Sequence, residues 1–271
     1  TGSSRRPASA VTSPRWSAES GARMTRCALV TGASDGIGQE VARRLAREGW
    51  DVAVHFHRNR AGADATAGMV RETGRRAVIL QADLSTPAAA MRLAAEYDAA
   101  FNRMDALINN AGIVDRAARV EEMTPERLTR MFAVNLTAPF LLAGHAARRM
   151  STRNGGTGGV IVNVSSVAAR LGSGGQYVDY AASKAGLDAL TRGLADEVAA
   201  EGVRVVSVRP GIIDTGIHGK GGEPDRAVRL ADRIPMRRAG TSAEVARTIV
   251  WLVSDAASYI TGTTIDVSGG R

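Results

Sequence analysis

The sequence is poor in cysteine, in lysine and in long hydrophobic runs. Its single cysteine, Cys27, excludes an intramolecular disulfide and favours a reducing, cytoplasmic location. Every apolar run is shorter than the roughly 18 residues that a membrane-spanning helix needs, so we expect no membrane partner. The four histidines do not follow any metal-ligand spacing, so we expect no metal site. Disulfide scaffolds and transmembrane proteins are excluded.

Basic residues outnumber acidic ones, and Lys184 and Lys220 are the only lysines among them. The formal net charge is +8, of which residues 1–24 contribute +3 from four arginines and one glutamate. Along the rest of the chain the two signs are interspersed. A nucleic-acid-binding surface is typically a block or stripe of positive charge. We therefore expect no nucleic-acid partner.

The chain divides into a short tail and one domain. Residues 1–24 are rich in Ser, Ala, Arg and Pro and have no apolar period, so we expect a flexible tail. A secretory signal is not expected, because this stretch has no hydrophobic core region. Residues 25–271 contain no internal repeat and have a length that suits one large domain.

Short β-branched runs alternate with longer stretches of helical period along residues 25–271. Most of the predicted strands are continuously apolar, which is typical of parallel strands buried on both faces. The pattern predicts an α/β fold with a doubly wound parallel sheet and helices on both faces. We predict strands at 27–31, 51–56, 77–81, 106–109, 160–164, 203–208 and 264–267, and helices near 37–48, 60–72, 87–101, 125–150, 177–201 and 242–254. The irregular stretch 210–241 is a candidate lid.

A glycine-rich turn follows the first predicted strand. Residues 31–38 read TGASDGIG and lead directly into an amphipathic helix. Glycines let the backbone approach a pyrophosphate closely, and the N–H groups of the following helix can bind the anion. The alternative is a turn whose glycines only allow close packing.

A tyrosine and a lysine are four residues apart in the predicted helix 177–201. Tyr180 and Lys184 would therefore lie on one face of that helix. A nearby cation lowers the pKa of a phenol, and a tyrosine tuned in this way can exchange a proton with an alcohol near neutral pH. The alternative is an ordinary pair on a helix surface.

A serine pair ends the predicted strand 160–164. Ser165 and Ser166 would lie at the carboxyl edge of the sheet, where ligands of parallel α/β folds bind. A hydroxyl there can share a substrate oxygen with Tyr180. The alternative is a serine that caps a turn or a helix.

Taken together, these motifs resemble the classical short-chain dehydrogenase/reductase (SDR) family. TGASDGIG, Tyr180–Lys184 and Ser166 occur in that family's order and approximate spacing. So do the further elements Asn109-Asn110-Ala111-Gly112, Asn135, Pro210-Gly211 with Thr215, and the C-terminal ITGTTIDVSGG. The resemblance covers residues 25–271 and implies a Rossmann-like fold. It also implies an NAD(P)-dependent oxidoreductase that transfers a hydride between the cofactor and an alcohol or carbonyl.

The resemblance implies a role for individual residues. Tyr180 would be the general acid/base, Lys184 would lower its pKa, and Ser166 would orient the substrate oxygen. Asn135 would hold a water that links Lys184 to solvent. The residues implied in cofactor binding are Gly32, Ser34, Asp35, Gly36, Ile37, Gly38, His57, Arg58, Asp83, Leu84, Asn110, Tyr180, Lys184, Ile213 and Thr215. The interval from Ser166 to Tyr180 is one residue longer than in many relatives, which leaves Ser165 as a weaker candidate and makes Tyr177 a candidate on the substrate side.

We predict NADP(H) rather than NAD(H) as the cofactor. An NAD site places a carboxylate roughly 20 residues after the glycine turn to bind the ribose hydroxyls. Residues 54–60 contain no carboxylate, whereas Arg58, with Arg60 as a second candidate, can bind a 2′-phosphate. Asp35 argues for NAD, and both arginines could instead be solvated residues that start a helix.

The motifs do not identify the substrate. A 3-oxoacyl thioester, a sugar and a small ketone are all compatible with the motifs. The alternative from another class is a non-catalytic regulator that senses a dinucleotide on the same fold. The resemblance also implies a homotetramer that assembles through the helices at 125–150 and 177–201.

Overall fold

A computed structural model describes residues 25–216, 219, 221–223 and 225–271. The predicted tail, and His218 and Lys220 of the candidate lid, lie outside these residues. Nine strands are described: β1 (Cys27–Val30), β2 (Asp51–Phe56), β3 (Ala77–Gln81), β4 (Ala106–Asn109), β5 (Gly159–Val164), β6 (Val203–Pro210), β7 (Ile213–Asp214), β8 (Gly240–Thr241) and β9 (Thr264–Val267). The helices are α1 (Gly36–Arg47), α2 (Arg60–Arg71), α3 (Pro87–Ala100), α4 (Pro125–Phe132), α5 (Ala138–Met150), α6 (Ala168–Leu171), α7 (Val178–Val198), α8 (Arg226–Arg229) and α9 (Ser242–Val253).

Seven of the strands form one parallel sheet in the order β3-β2-β1-β4-β5-β6-β9. The order reverses beside β1, so β1 and β4 are neighbours although two strand–helix units separate them in sequence. The predicted α/β doubly wound sheet is therefore confirmed. The reversal opens a crevice at the carboxyl edge of the sheet, where such folds bind ligands.

Both faces of the sheet are buried, as the continuous apolar strands predict. Along β1, Leu29 packs with Leu93 on the face covered by α3, α5 and α7. The next residue, Val30, packs with Val41 and Ile249 on the opposite face, which α1, α2 and α9 cover. Successive side chains of a strand point to opposite faces, so each residue of a central strand contributes to one of two cores.

The predicted helix 125–150 is interrupted. A π-helical turn, Ala133–Thr137, separates α4 from α5. Pro139 has no N–H to complete a helical hydrogen bond with the carbonyl of Asn135, four residues before it. The predicted extent of the helix is confirmed, and the α-helical hydrogen bonding changes only in the π-helical turn, which carries Asn135, one of the predicted site residues.

The predicted irregular stretch 210–241 contains regular structure. The short strands β7 and β8 pair in parallel, Ile213 with Gly240 and Asp214 with Thr241. Thr241 then caps α9: its hydroxyl accepts the N–H of Glu244, and the Glu244 carboxylate accepts the N–H of Thr241. The β7–β8 pair thus holds the two ends of this stretch beside each other, and the cap at Thr241 fixes the start of α9.

Over the part of the chain that the structure describes, no helix combines the length and the apolar character that crossing a bilayer requires.

A core substitution on α3 should destabilise the protein. We expect Leu93→Ala, which removes a side chain with no exposed surface, to lower the free energy of unfolding by about 2–5 kcal/mol. Met91→Ala on the same helix, where the side chain is 43% exposed, should change it by less than about 0.5 kcal/mol. Urea denaturation of both variants measures the difference, and equal losses would contradict the packing described for α3.

Candidate active site

A cavity of about 720 Å³ opens at the carboxyl edge of the sheet. The segments that follow β1, β2, β3, β4, β5 and β6 all contribute to its wall. The structure brings together in this wall most of the residues predicted from sequence: Gly32, Ser34, Asp35, Gly36, Ile37, His57, Arg58, Asp83, Leu84, Asn110, Ser166, Tyr180, Lys184, Ile213 and Thr215. Gly38 and Asn135 are not part of the lining.

The glycine turn after β1 needs its glycines for two reasons. Gly32 and Gly36 have φ values of +62° and +56°, which a residue with a side chain rarely adopts. At Gly38 a Cβ atom would lie 2.3 Å from the carbonyl oxygen of Gly32, so α1 can approach the turn only without one. Close packing, the alternative considered from sequence, is therefore the role of Gly38. The other two glycines shape a turn that opens into the cavity.

A buried histidine, which the sequence argument considered only as a metal ligand, supports the glycine turn. The N–H of Gly32 donates to Nδ1 of His55 over 3.1 Å, and Nε2 of His55 faces the carbonyl oxygen of Ala82 at 3.1 Å. The hydrogen therefore belongs on Nε2. Burial lowers the pKa of His55 to about 4, against the backbone hydrogen bond to Ala82, which raises it. A neutral ring is what this pair of contacts requires.

Asn110 supports the same turn from the other side. Its Nδ2 donates to the carbonyl oxygens of Thr31 at 2.9 Å and Gly32 at 3.0 Å. Its backbone N–H donates to the hydroxyl of Thr31. The amide thus fixes the spacing between the ends of β1 and β4, in addition to lining the cavity.

Tyr180 and Lys184 line the cavity from the first turns of α7. Tyr180 is half-buried, and Lys184 is only 3% exposed. The Nζ of Lys184 lies 5.7 Å from the centroid of the Tyr180 ring and donates to the carbonyl oxygen of Val164 over 2.7 Å. The pair is thus a buried arrangement between α7 and β5 and not a pair on a helix surface.

Burial is the main influence on both ionisable groups. It raises the pKa of Tyr180, while a hydrogen bond with the Ser166 side chain lowers it, and the net direction is upward. Burial also lowers the pKa of Lys184 to about 8, against the charge of Asp188, which raises it. The lowering of the Tyr180 pKa by Lys184 that the sequence predicts is wrong for this structure, because burial outweighs the other influences. In this structure Tyr180 is protonated at neutral pH.

The hydroxyl groups of the two serines after β5 make different contacts. The Ser166 side chain lowers the pKa of Tyr180, and its hydroxyl oxygen accepts the N–H of Ala168 at 3.1 Å. Ser165 donates its hydroxyl hydrogen to the carbonyl oxygen of Lys184 over 3.0 Å. Ser166 therefore adjoins the tyrosine hydroxyl, and the weaker candidate Ser165 holds the backbone of α7.

Asn135 lies behind the cavity wall with no exposed surface. Its Oδ1 accepts the N–H of Ile113 at 2.8 Å, and its Nδ2 donates to the carbonyl oxygen of Ile113 at 2.9 Å. The same Nδ2 also donates to the hydroxyl of Ser183. The side chain joins the π-helical turn to α7 and to the segment after β4. The water-holding role implied for Asn135 stays a prediction.

At the opposite end of the cavity, charged side chains follow β2 and β3. His57 Nε2 lies 3.4 Å from a carboxylate oxygen of Asp83. Burial raises the pKa of Asp83, but hydrogen bonds from Ser85 and the charges of His57 and Arg58 outweigh it and hold that pKa below its usual value. Asp83 is therefore ionised at neutral pH and faces positive charge.

The two arginines considered for a 2′-phosphate occupy different places. Arg58 lines the cavity. Arg60 begins α2 and pairs with Asp64 one turn later, with Nε 3.0 Å from the carboxylate, and it is not a lining residue. Arg60 is thus the solvated helix-start residue that the sequence analysis considered. Asp35 is exposed at the start of α1 and also lines the cavity.

Beyond Tyr180 the wall is largely apolar. It is formed by Val114, Val167, Leu171 and Ile212. Tyr177, the candidate on the substrate side, belongs to the same wall, and its hydroxyl donates to Glu223 over 2.9 Å. The polar side chains in this part include Ser173 and Arg226.

Comparison with known proteins agrees with this arrangement. The family model described as enoyl-(acyl carrier protein) reductase matches residues 32–271. The chain is 50% identical over 244 residues to the uncharacterized oxidoreductase YgfF of Escherichia coli K12, a match that covers 90% of this chain and 99% of that protein. It is 35% identical to glucose 1-dehydrogenase 2 of Bacillus subtilis 168, covering 90% and 94% of the two chains.

A similar solved structure is that of a short-chain dehydrogenase from Burkholderia cenocepacia J2315 in complex with NADP. It superposes with a TM-score of 0.82 at 33% identity, covering 91% of this chain and 97% of that one. The proteins named here are dehydrogenases, reductases and oxidoreductases, so a non-catalytic regulator finds no support among them. The chain belongs to the short-chain dehydrogenase/reductase family and is an NAD(P)-dependent oxidoreductase that acts on CH–OH and C=O groups.

Proposed function

We propose that this protein is a cytoplasmic, NADPH-dependent reductase of ketones with apolar substituents. The observation that carries the proposal is the group formed by Tyr180, Ser166 and Lys184 in one cavity wall. The serine side chain lies close enough to the tyrosine to lower its pKa, and a buried ammonium lies 5.7 Å from the tyrosine ring. This is the arrangement that protonation of a carbonyl oxygen requires.

The cavity fits a dinucleotide. The glycine turn at 31–38 exposes the N-terminus of α1 to the cavity, where the first N–H groups of the helix can bind a pyrophosphate. Asp83 and Leu84 would flank the adenine, and Ile213 and Thr215 would adjoin the carboxamide. When bound, the nicotinamide ring supplies the hydride that reduces the carbonyl carbon.

Tyr180 would supply the proton. A substrate carbonyl oxygen beside Tyr180 and Ser166 accepts a hydrogen bond from each hydroxyl, and the tyrosine proton passes to the oxygen as the carbonyl becomes an alcohol. Tyr180 is protonated at neutral pH, since burial raises a pKa that is ordinarily near 10, so its hydroxyl can donate the proton in the reduction. The ammonium of Lys184 stabilises the phenolate that is left behind.

The wall beyond Tyr180 favours an apolar ketone over the other substrates considered. A sugar presents several hydroxyl groups, and each needs a hydrogen-bond partner when it is buried. The side chains of Val114, Val167, Leu171 and Ile212 offer none. Of the polar side chains in the same wall, Tyr177 and Arg226 already bind Glu223, which leaves them less available to a buried sugar. A ketone needs only one polar contact, at the carbonyl oxygen, and Tyr180 and Ser166 supply it.

The preference for NADPH rests on the charges at the far end of the cavity. β2 ends without a carboxylate, Arg58 lines the cavity, and Asp83 is paired with His57. A 2′-phosphate there would meet a guanidinium that can donate charge-assisted hydrogen bonds. Among similar solved structures, the short-chain dehydrogenase from Burkholderia cenocepacia is described in complex with NADP.

We also infer a homotetramer, as the family resemblance implies. Phe140 on α5 is 49% exposed, and α5 belongs to the region 125–150 that the resemblance assigns to subunit contacts. A large aromatic side chain exposed on such a face supports an interface there.

Replacing Tyr180 should abolish reduction while leaving the cofactor bound. We expect Tyr180→Phe to lower kcat by about 10²–10⁴-fold, because only the proton-donating hydroxyl is lost. Oxidation of NADPH, followed at the nicotinamide absorbance with apolar ketones, a 3-oxoacyl thioester and glucose, measures the rate. Tyr259→Phe is the control, since that side chain is fully exposed and does not line the cavity. Activity in the Tyr180→Phe variant would refute the role of Tyr180 as general acid. If the unmodified protein bound NADPH but turned over none of the substrates, a non-catalytic regulator would be favoured.

Removing the charge of Arg58 should weaken NADPH selectively. We expect Arg58→Ala to bind NADPH about 10- to 100-fold less tightly, because hydrogen bonds to a charged group are lost, and to bind NADH unchanged. Fluorescence titration of both cofactors provides the affinities. Arg60→Ala is the matched control, because that arginine pairs with Asp64 outside the cavity. Equal losses for the two cofactors, or tighter NADH binding by the unmodified protein, would contradict the preference.

A charge on the exposed face of α5 should disrupt assembly. We expect Phe140→Glu to convert a tetramer into smaller species, because a carboxylate cannot be buried in an apolar contact without cost. Size-exclusion chromatography with light scattering measures the mass. Met91→Glu, at a comparably exposed position on α3, should leave the mass unchanged. A monomeric unmodified protein would overturn the inference.

A further inference from the structure

The helix that carries Tyr180 begins without a side-chain cap. Tyr177 is the N-cap residue of α7 and makes no side-chain hydrogen bond to the first turn. The first N–H groups of a helix have no partner within the helix and are normally bound by such a cap. In α7 the carboxylate of Asp179 takes up one of them: its Oδ1 accepts the N–H of Tyr180 over 2.9 Å.

Asp179 is itself held by an arginine from another helix. Arg127 on α4 donates from Nε to Oδ2 of Asp179 over 2.7 Å and from NH2 to Oδ1 over 3.2 Å. The carboxylate has no exposed surface, and the guanidinium is 12% exposed. A two-point contact of this kind fixes both the distance and the orientation of the carboxylate.

The same guanidinium reaches a third segment. Its NH1 donates to the carbonyl oxygen of Arg116 over 2.8 Å, in the stretch that follows β4. That stretch is joined to the turn before α7 by a further hydrogen bond, from the N–H of Ala118 to the carbonyl oxygen of Gln176 at 3.0 Å. Arg127 thus connects α4, the segment after β4 and the first turn of α7.

A neighbouring ion pair on α4 differs from Arg127–Asp179 in its exposure to solvent. Arg130, three residues later on α4, pairs with Asp115, but its side chain is 58% exposed. An exposed pair contributes little and does not constrain its partners. A buried pair is poor evidence for stability, because burying charge is costly, but it can specify one geometry.

We propose that Arg127 and Asp179 are positioning residues for Tyr180. Through the Tyr180 N–H they fix the first turn of α7, and with it the place of the tyrosine hydroxyl relative to Ser166 and Lys184. Neither side chain lines the cavity. The inference rests on the acid role proposed for Tyr180, whose hydroxyl must stay within hydrogen-bond reach of the substrate oxygen.

The test compares Arg127→Met with Arg130→Met. We expect Arg127→Met to lower kcat by up to about 10²-fold, since a displacement of about 1 Å can have that effect, while the Kd for NADPH changes by less than about twofold. Hydrogen exchange of the peptide that contains the Tyr180 amide should become faster in Arg127→Met and stay unchanged in Arg130→Met. The double variant with Asp179→Asn should be no worse than Arg127→Met alone, because the two residues act as one unit.

Two further variants keep the test decisive. If Arg127→Met does not fold, Arg127→Lys retains the charge but loses the two-point contact, and it should show the same loss of kcat and the same faster exchange. Asp179→Asn keeps an acceptor for the Tyr180 N–H, so its exchange should change less. Unchanged kcat in folded Arg127 variants, slow exchange of the Tyr180 amide in them, or an equal effect of Arg130→Met would overturn the proposal.

The exchange measurement does not depend on turnover. If Tyr180→Phe remained active, the acid role would fail, whereas faster exchange in Arg127→Met would still show that Arg127 holds the first turn of α7. The activity of Tyr180→Phe therefore tests the acid role, and amide exchange in Arg127→Met tests the positioning role separately.

Discussion

Buried polar contacts between α7 and the sheet fix the position of the active site. The Lys184 ammonium donates to the carbonyl of Val164, Asn163 Nδ2 donates to Thr191, and Asp188 binds Ser207. Each of these groups is buried, and a buried polar group without a partner is costly. If α7 slid along β5 by one residue, several of them would lose their partners together. Together with the apolar packing of α7, these contacts select the register that places Tyr180 beside Ser166.

The sequence predicts those parts of the fold that repeat a simple pattern. Continuous apolar strands indicate a sheet buried on both faces, and the spacing of Tyr180 and Lys184 places both on one face of a helix. The sequence does not predict the π-helical turn within 125–150, because the apolar period continues through it, although Pro139 marks the position. The β7–β8 pair was missed because two-residue strands carry no period of their own.

Contacts between distant segments could not be found in this way. His55 binds a residue 23 positions away, and Arg127 binds one 52 positions away, so neither pairing leaves a trace in local spacing. Arg60 is the opposite case, since its partner Asp64 is one helical turn away and the pair could have been recognised. The direction of the Tyr180 pKa shift also needed the fold, because burial, its main cause, is not encoded by neighbours in sequence.

The neutral state of His55 links the glycine turn to the acid stability of the whole chain. In the unfolded chain this imidazole binds a proton near its ordinary pKa of 6.5, whereas in the folded chain it does so only near 4. Between these two values the unfolded state binds more protons, so the free energy of unfolding falls as the pH falls through that window. Protonation would also place a hydrogen on Nδ1, opposite the N–H of Gly32. The residue that supports the glycine turn is therefore also one through which acid favours the unfolded chain.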